Sequence, residues 1–250
     1  MEIFGIKLPL INVGDDIAKM IVERFDLENG DIVAICSTIV SKAEGRIAKL
    51  EEYSPSEKAF EIAKKIGEDA RFVQAVLDES EEILIDYPFL LVKAKFGNVC
   101  VNAGIDRSNV ENGMILLPPK DPDESAKRIR ERIFELTGKK VGVIITDSNG
   151  RCFRKGVVGF AIGVSGVKVF RDWIGKLDLY GNQLSKTVEC VADEIACFAN
   201  LIMGEGNWGI PVVVFRGLNL EGEGKAWDIY RDEKEDLIRM CLKKMYSSPS

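Results

Sequence analysis

Three carboxylates stand among small and polar residues. Asp106 lies in Asn102-Ala103-Gly104-Ile105-Asp106-Arg107-Ser108-Asn109, Asp147 in Thr146-Asp147-Ser148-Asn149-Gly150-Arg151, and Glu205 in Gly204-Glu205-Gly206-Asn207-Trp208-Gly209. With the Ser148 hydroxyl and the Asn109 amide they offer hard oxygen donors, the kind that magnesium and manganese take. Such ions carry phosphates and neutralise charge during phosphoryl transfer. The residue pattern leaves two readings open: convergence on shared metal ions, or three separate solvated loops. Lys42, Arg46, Arg107, Arg151 and Arg154 are the basic candidates for meeting phosphate or carboxylate, against the plainer reading of ordinary surface charge. Arg151 shares a segment with Asp147, which marks it as a candidate clamp for either anion.

Composition removes several alternatives. The chain has no histidine, so a Ser-His-Asp triad, a histidine general base and histidine metal ligation are excluded. Gly138-Lys139-Lys140 and Gly175-Lys176-Leu177 lack the glycine spacing and the Ser or Thr of a phosphate-binding P-loop. The run from Gly204 to Gly209 matches GxGxxG by letters. It falls between an expected helix and an expected strand, whereas a dinucleotide fingerprint needs strand, glycine turn, then helix. A glycine-rich loop wrapping phosphate with backbone amides remains open there, beside a tight connection into the strand at Pro211. The six cysteines contain no CxxC pair, which reads as reduced, buried thiols in a cytoplasmic protein.

These residues need elements to position them. Val33-Ala34-Ile35-Cys36 and Val141-Gly142-Val143-Ile144-Ile145 read as buried strands, each running directly into polar residues. Strand ends of this kind line ligand crevices in mixed folds. Asp15-Asp16 caps a helix through Ile17 and Ile21. A second helix is expected after Ser54, with Pro55 at N1, Glu57 at N3, a stripe of Ala59, Ile62, Ala63 and Ile66, and a stop at Gly67. Another holds Phe72, Val73, Val76 and Leu77. Residues 89–95 and 99–101 read as strands around a turn at Gly97, and residues 114–117 as a short strand. Asp121-Pro122-Asp123-Glu124 opens a helix with Ile129, Ile133 and Leu136 on its buried face and Gly138 at its end. Gly156, Gly159, Gly163 and Gly166 punctuate a strand or bend that packs closely. Residues 188–203 read as a helix and 211–215 as a strand. Asp232 with Glu235 opens a last helix bearing Ile238, Cys241, Leu242 and Met245, before a frayed tail at residues 247–250.

A chain of 250 residues, 46% apolar and 30% charged, has the balance of a globular protein with a sizeable core. Its formal charge of -6 gives no general nucleic-acid footprint. No apolar run is long enough for a transmembrane helix, and no signal peptide is apparent, so a cytoplasmic protein away from membranes is expected. No repeat or long linker divides it; residues 1–250 are expected to form one functional domain, with two subdomains whose boundaries the sequence does not place.

Five segments together resemble the coenzyme F420-0 gamma-glutamyl ligase family of archaea. They are Leu8-Pro9-Leu10-Ile11 with Gly14-Asp15-Asp16, the run from Ser37 to Arg46, the Asp106 and Asp147 segments, and the run from Gly204 to Pro211. They span nearly the whole chain in family order. The resemblance implies an α+β fold with a mixed sheet, neither P-loop nor Rossmann, in an intertwined homodimer with active sites near the subunit interface. It implies a GTP-dependent ligase that activates the terminal carboxylate of F420-0 as an acyl phosphate, couples L-glutamate and adds a second by a gamma linkage. The products are F420-1 and F420-2, with GDP and phosphate. Carried over residue by residue, Asp106 and Asp147 hold one divalent ion, magnesium or manganese, and Ser148 and Glu205 the second; potassium is a further candidate ion. The GTP site takes Leu8, Pro9, Leu10, Ile11, Ser37, Thr38, Lys42 and Asn109, with Met203, Gly204, Glu205, Gly206, Asn207, Trp208, Gly209 and Ile210. Lys42 and Arg151 are the candidate catalytic cations. Two alternatives remain: a related GTP-dependent ligase with another carboxylate acceptor, and a non-catalytic nucleotide-binding scaffold.

Overall fold

The structure, a computed structural model, describes residues 1–247, with side chains through residue 242. Ser248, Pro249 and Ser250 of the expected tail lie outside the described residues, as do the side chains of Ser247 and Met245.

A five-stranded mixed sheet organises the chain. Its order is β1 (Glu2–Ile6), β12 (Val212–Arg216), β2 (Ile32–Cys36), β8 (Gly142–Arg151) and β9 (Arg154–Ser165). Only β2 and β8 run parallel; the other neighbours are antiparallel. Strand alternation sorts the side chains to two faces. Ile32, Ala34, Ile144 and Val213 face a core completed by α6 (Val191–Met203), whereas Val33, Ile35, Ile145 and Val212 face the larger core. That larger core is built with α1 (Ile17–Val22), α2 (Ser37–Ala43), α3 (Glu57–Ile66), α4 (Ala70–Asp78) and α5 (Pro122–Thr137). Burial on both faces explains why β2 and the start of β8 are continuous apolar runs.

Three small sheets surround this frame. One joins β4 (Ser80–Ile85), β5 (Leu91–Ala94) and β6 (Val99–Val101); one joins β3 (Ile47–Lys49) and β7 (Met114–Leu116); one joins β10 (Phe170–Asp172) and β11 (Val188–Cys190). The last helix is α7 (Leu237–Ser247). The mixed-sheet α+β class expected from the sequence is the class observed.

The α5 cap is as expected: the Asp121 carboxylate accepts the Glu124 N–H at 3.0 Å, Pro122 takes the first turn, and Gly138 ends the helix with φ 70°. Asp121→Ala should cost about 1 kcal/mol, read as a lower denaturation midpoint with an unchanged m-value; an unchanged midpoint would contradict the cap.

Other expectations need correction. The cap of α3 is Ser56, whose hydroxyl accepts the Ala59 N–H at 3.2 Å, rather than Ser54. The Ser56 N–H is itself held by Gln74 Oε1 at 2.9 Å, which fixes the turn at that serine. Asp236 caps α7, accepting from Ile238 and Arg239, while Asp232 accepts from Lys234. Ile238 and Cys241 are exposed, as is Leu136 at the end of α5. The cysteines are free, but Cys152, Cys197 and Cys241 are exposed and only Cys100 is fully buried. The polar run from Thr146 to Arg151 continues β8 instead of leaving it, because β9 pairs along its whole length, with Asp147 opposite Phe160 and Ser148 opposite Gly159.

Candidate active site

The site forms where the parallel pair ends. β2 finishes at Cys36 and α2 begins at the next residue. Beside it on β8, Asp147 receives the Ser37 hydroxyl at 3.2 Å and the Ser148 N–H at 3.0 Å, both on Oδ1. Asp106 arrives from another direction. Its backbone bridges Leu116 in both senses, at 3.0 and 2.8 Å, which anchors the loop. Its carboxylate accepts the Ser108 N–H at 2.7 Å and the Ser108 hydroxyl; the Asn109 amide in turn donates to that hydroxyl at 3.3 Å.

Glu205 follows the end of α6. Gly204 closes that helix with φ 67°, and an added Cβ there would lie 2.7 Å from the Trp208 ring, so glycine is required on both counts. The loop is tied at two points: Leu8 N–H donates to Gly209 O at 3.2 Å, and Cys36 N–H to Pro211 O at 2.9 Å. These bonds seat the glycine-rich loop against the N-terminal segment and the end of β2.

Two adjoining cavities result. The larger, about 320 Å³, is lined by Leu8, Pro9, Leu10 and Ile11 on one side and by Met203, Gly204, Gly206, Asn207, Gly209 and Ile210 on another; Lys42 and Asn109 also line it. The smaller, about 230 Å³, is lined by Ser37 and Ser41 among others. Thr38, Asp106, Ser108, Asp147, Ser148 and Glu205 border both. The four residues named from sequence as metal ligands therefore converge on one dividing wall. Arg151 lines neither cavity: it sits at the turn end of β8 with a buried, unpartnered Nη1. Trp208 lines neither either; it covers Gly204 from outside.

Electrostatics follow from this convergence. Burial raises the Asp147 pKa to about 6, against the lowering effect of its bonds from Ser148 and Ser37; the charges of Asp106 and Glu205 push it the same way as burial. The Cys36 thiol, in the larger cavity, is pushed up by burial, which disfavours the reactive thiolate. Among the described residues, no three acidic or thiol side chains are drawn into a metal cluster by themselves. Asp106, Asp147 and Glu205, with the Ser148 hydroxyl, instead border the same open cavity volume. Its chemistry suits an oxygen-seeking divalent ion whose shell is completed by water or substrate oxygen.

Sequence reasoning missed two residues here. Asn200, on the last turn of α6, donates from Nδ2 to Glu205 Oε1 at 3.1 Å and lines the larger cavity. Thr146 lines the same cavity with a buried hydroxyl that has no partner. A polar residue one turn before a loop carboxylate was the available signal for Asn200. Asn200→Leu frees Glu205 to rotate, and is expected to lower kcat/KM by roughly 10–100-fold with an unchanged melting temperature; unchanged kinetics would contradict the positioning role.

A mixed-sheet α+β chain with a two-chambered, oxygen-lined cleft at the carboxyl ends of a parallel pair is built as a small-molecule enzyme. The family model for F420-0:Gamma-glutamyl ligase matches residues 5–217. The chain is 68% identical over 245 residues to the Coenzyme F420:L-glutamate ligase of Archaeoglobus fulgidus, covering 98% of each chain. It is 49% identical to the protein of that name from Methanosarcina mazei, covering 95% of this chain and 94% of the relative, and 46% identical to that from Methanocaldococcus jannaschii, covering 96% and 97%. The chain belongs to the F420-0:gamma-glutamyl ligase family, and it is a ligase.

Proposed function

We propose that this ligase uses GTP and divalent metal to join L-glutamate to the terminal carboxylate of F420-0, then adds a second glutamate through a gamma linkage. It acts as a cytoplasmic homodimer. Among the described residues no helix is long and apolar enough to cross a membrane. The observation that carries the reading is the convergence of Asp106, Asp147, Ser148 and Glu205 on the wall between two cavities. A reaction that brings a triphosphate and a carboxylate together needs hard oxygen donors at a place that both can reach, and these four residues border both cavities.

In this reading the larger cavity takes GTP. Leu8, Leu10, Ile11 and Ile210 give it apolar sides for the nucleoside, and Lys42 supplies a point charge for phosphate. The backbone of the Gly204-Glu205-Gly206 loop approaches closely because it carries few side-chain atoms. Magnesium or manganese, held by Asp106, Asp147, Ser148 and Glu205, would neutralise phosphate charge as it builds. The acceptor carboxylate attacks the gamma-phosphorus: an oxygen–phosphorus bond forms, and the bond to the bridging oxygen breaks, leaving GDP. The amine of glutamate, having lost one proton to solvent, attacks the acyl carbon. The carbon–nitrogen bond forms, the carbon–oxygen bond to phosphate breaks with its electron pair leaving on phosphate, and a second proton passes to solvent.

The acyl phosphate is tested by isotope. F420-0 labelled with oxygen-18 in its terminal carboxylate should deliver one labelled oxygen per turnover into inorganic phosphate. Unlabelled phosphate alongside normal product would contradict this route.

A further inference from the structure

Thr146 carries a hydroxyl that the fold does not use. The residue is 2% exposed and lines the larger cavity, and its Oγ1 has no hydrogen-bond partner. Its neighbours in register are Cys36 on β2 and Ala161 on β9, and neither satisfies it. Valine would fill the same space without stranding a polar atom. A buried hydroxyl left bare is costly, and in native proteins it is normally met by water or ligand.

Strand alternation decides what this hydroxyl can reach. Ile144 faces the core under α6 and Ile145 the larger core, so Thr146 and Ser148 share the α6 face of β8 and Asp147 takes the other. The packing of α6 agrees: Gly159, opposite Ser148, lies against Ala196 and Asn200. Asn200 in turn holds Glu205 at 3.1 Å. Thr146, Ser148, Asn200 and Glu205 all line the larger cavity. Residues two apart on a strand are separated by roughly 6.5–7 Å. For side chains standing parallel, that is too wide for both hydroxyls to bind one ion directly, since magnesium holds its oxygens at about 2.0–2.1 Å. It matches the span of an ion, one of its waters and a hydrogen bond of about 2.7–2.8 Å. Magnesium usually keeps several waters, and a water on a cation is a strong donor.

We propose that Thr146 is a positioning residue for the ion at Ser148 and Glu205, its hydroxyl oxygen accepting a hydrogen bond from a water on that ion. The assignment rests on the divalent-metal reading above. A water fixed on the strand side leaves the ion's remaining positions turned toward the cavity, where phosphate enters.

Thr146→Val and Thr146→Ser separate this role from packing. Manganese is titrated calorimetrically into metal-free protein, alone and with a non-hydrolysable GTP analogue, and melting is followed without metal. Valine keeps the shape and removes the hydroxyl, so manganese affinity should fall by about tenfold or more, with the metal-free Tm unchanged or raised. Serine keeps the hydroxyl and loses a methyl group, so affinity should stay within about threefold of the parent while Tm falls. In a Ser148→Ala background the valine substitution should have little further effect on manganese. Thr146→Ala takes the place of the valine variant if that does not fold. Parental manganese affinity without the hydroxyl would overturn the role, as would an equal loss in the serine variant. So would a loss confined to the GTP analogue, which would put the hydroxyl on the nucleotide. A parent that binds no manganese under either condition would instead overturn the divalent-metal reading.

Discussion

Asp147→Asn should abolish ligation and yet leave the metal-free protein more stable than its parent at neutral pH. Asp147 borders both cavities and accepts bonds from Ser37 and Ser148 on a single oxygen, so its second oxygen is left to face the site. An amide keeps the shape and loses the charge. If this carboxylate helps to hold the ions that offset phosphate charge, kcat should fall by roughly 100–1,000-fold or more. The stability effect has the opposite sign. The folded pKa is about 6, above the unfolded carboxylate value of about 3.9. The folded state therefore binds the proton more tightly. Ionisation weakens the fold as pH rises from about 4 to 6, and the cost is complete above that window. At its fullest it is on the order of 2–3 kcal/mol. In metal-chelated samples, the advantage of Asp147→Asn over the parent should widen by about 1 kcal/mol between pH 5 and pH 7.5. An advantage that stays constant, or a destabilised variant, would contradict the burial argument. Full activity in the variant would remove Asp147 from the site.

Gly159→Ala should be strongly damaging for a single added methyl group. Gly159 lies on β9 under α6, and an added Cβ would fall 2.2 Å from the Ala196 carbonyl oxygen and 2.9 Å from the Asn200 Cβ. The first obstacle is helix backbone, which cannot rotate aside as a flexible side chain would. Either α6 lifts from the sheet or β9 bends, at a cost of about 2–3 kcal/mol, which lowers Tm by roughly 5–10 °C. The displacement reaches the site because α6 carries Asn200 and leads into Glu205. Activity measured well below Tm should also fall. Gly150→Ala, with nothing within 4 Å of the added methyl, should leave Tm within about 1 °C. Equal melting temperatures for the two variants would refute the packing claim.

The parts of this molecule written into local sequence were legible. The apolar runs of β2 and the start of β8, the cap within Asp15-Asp16 (supplied by Asp16), the Asp121 cap and the glycine stops at Gly67 and Gly138 depend on neighbouring residues alone. What depended on partners was not. The run from Thr146 to Arg151 looks like a loop until β9 is seen pairing with it, and Ser80–Ile85, with its two adjacent glutamates, is a strand only because β5 lies beside it. The site divides the same way. Asp106, Asp147 and Glu205 stand out by type and by small neighbours, but their meeting is made by the parallel register of β2 and β8 and by the bridge at Leu116, neither of which local spacing encodes. Resemblance to a family supplied the roles that spacing left open. It also drew in Trp208 with its loop, while Arg151 was drawn in by sharing a segment with Asp147; in the fold both stand off the cavities. Asn200 and Thr146 were missed because the turn at Gly204 and the pairing of β8, not local spacing, bring them to the larger cavity.

The central claim is that the divided cleft ligates glutamate to F420-0 at the expense of GTP. Its most direct test is the mass of the product formed by the purified protein with F420-0, L-glutamate, GTP and manganese, beside samples lacking GTP or metal and a sample of Asp147→Asn. One and then two glutamyl additions are expected in the complete reaction, none without GTP or metal, and at most a small fraction of the parent's product with Asp147→Asn. Glutamyl addition that persists without GTP or metal would contradict the claim, as would an unmodified F420-0 after the complete reaction.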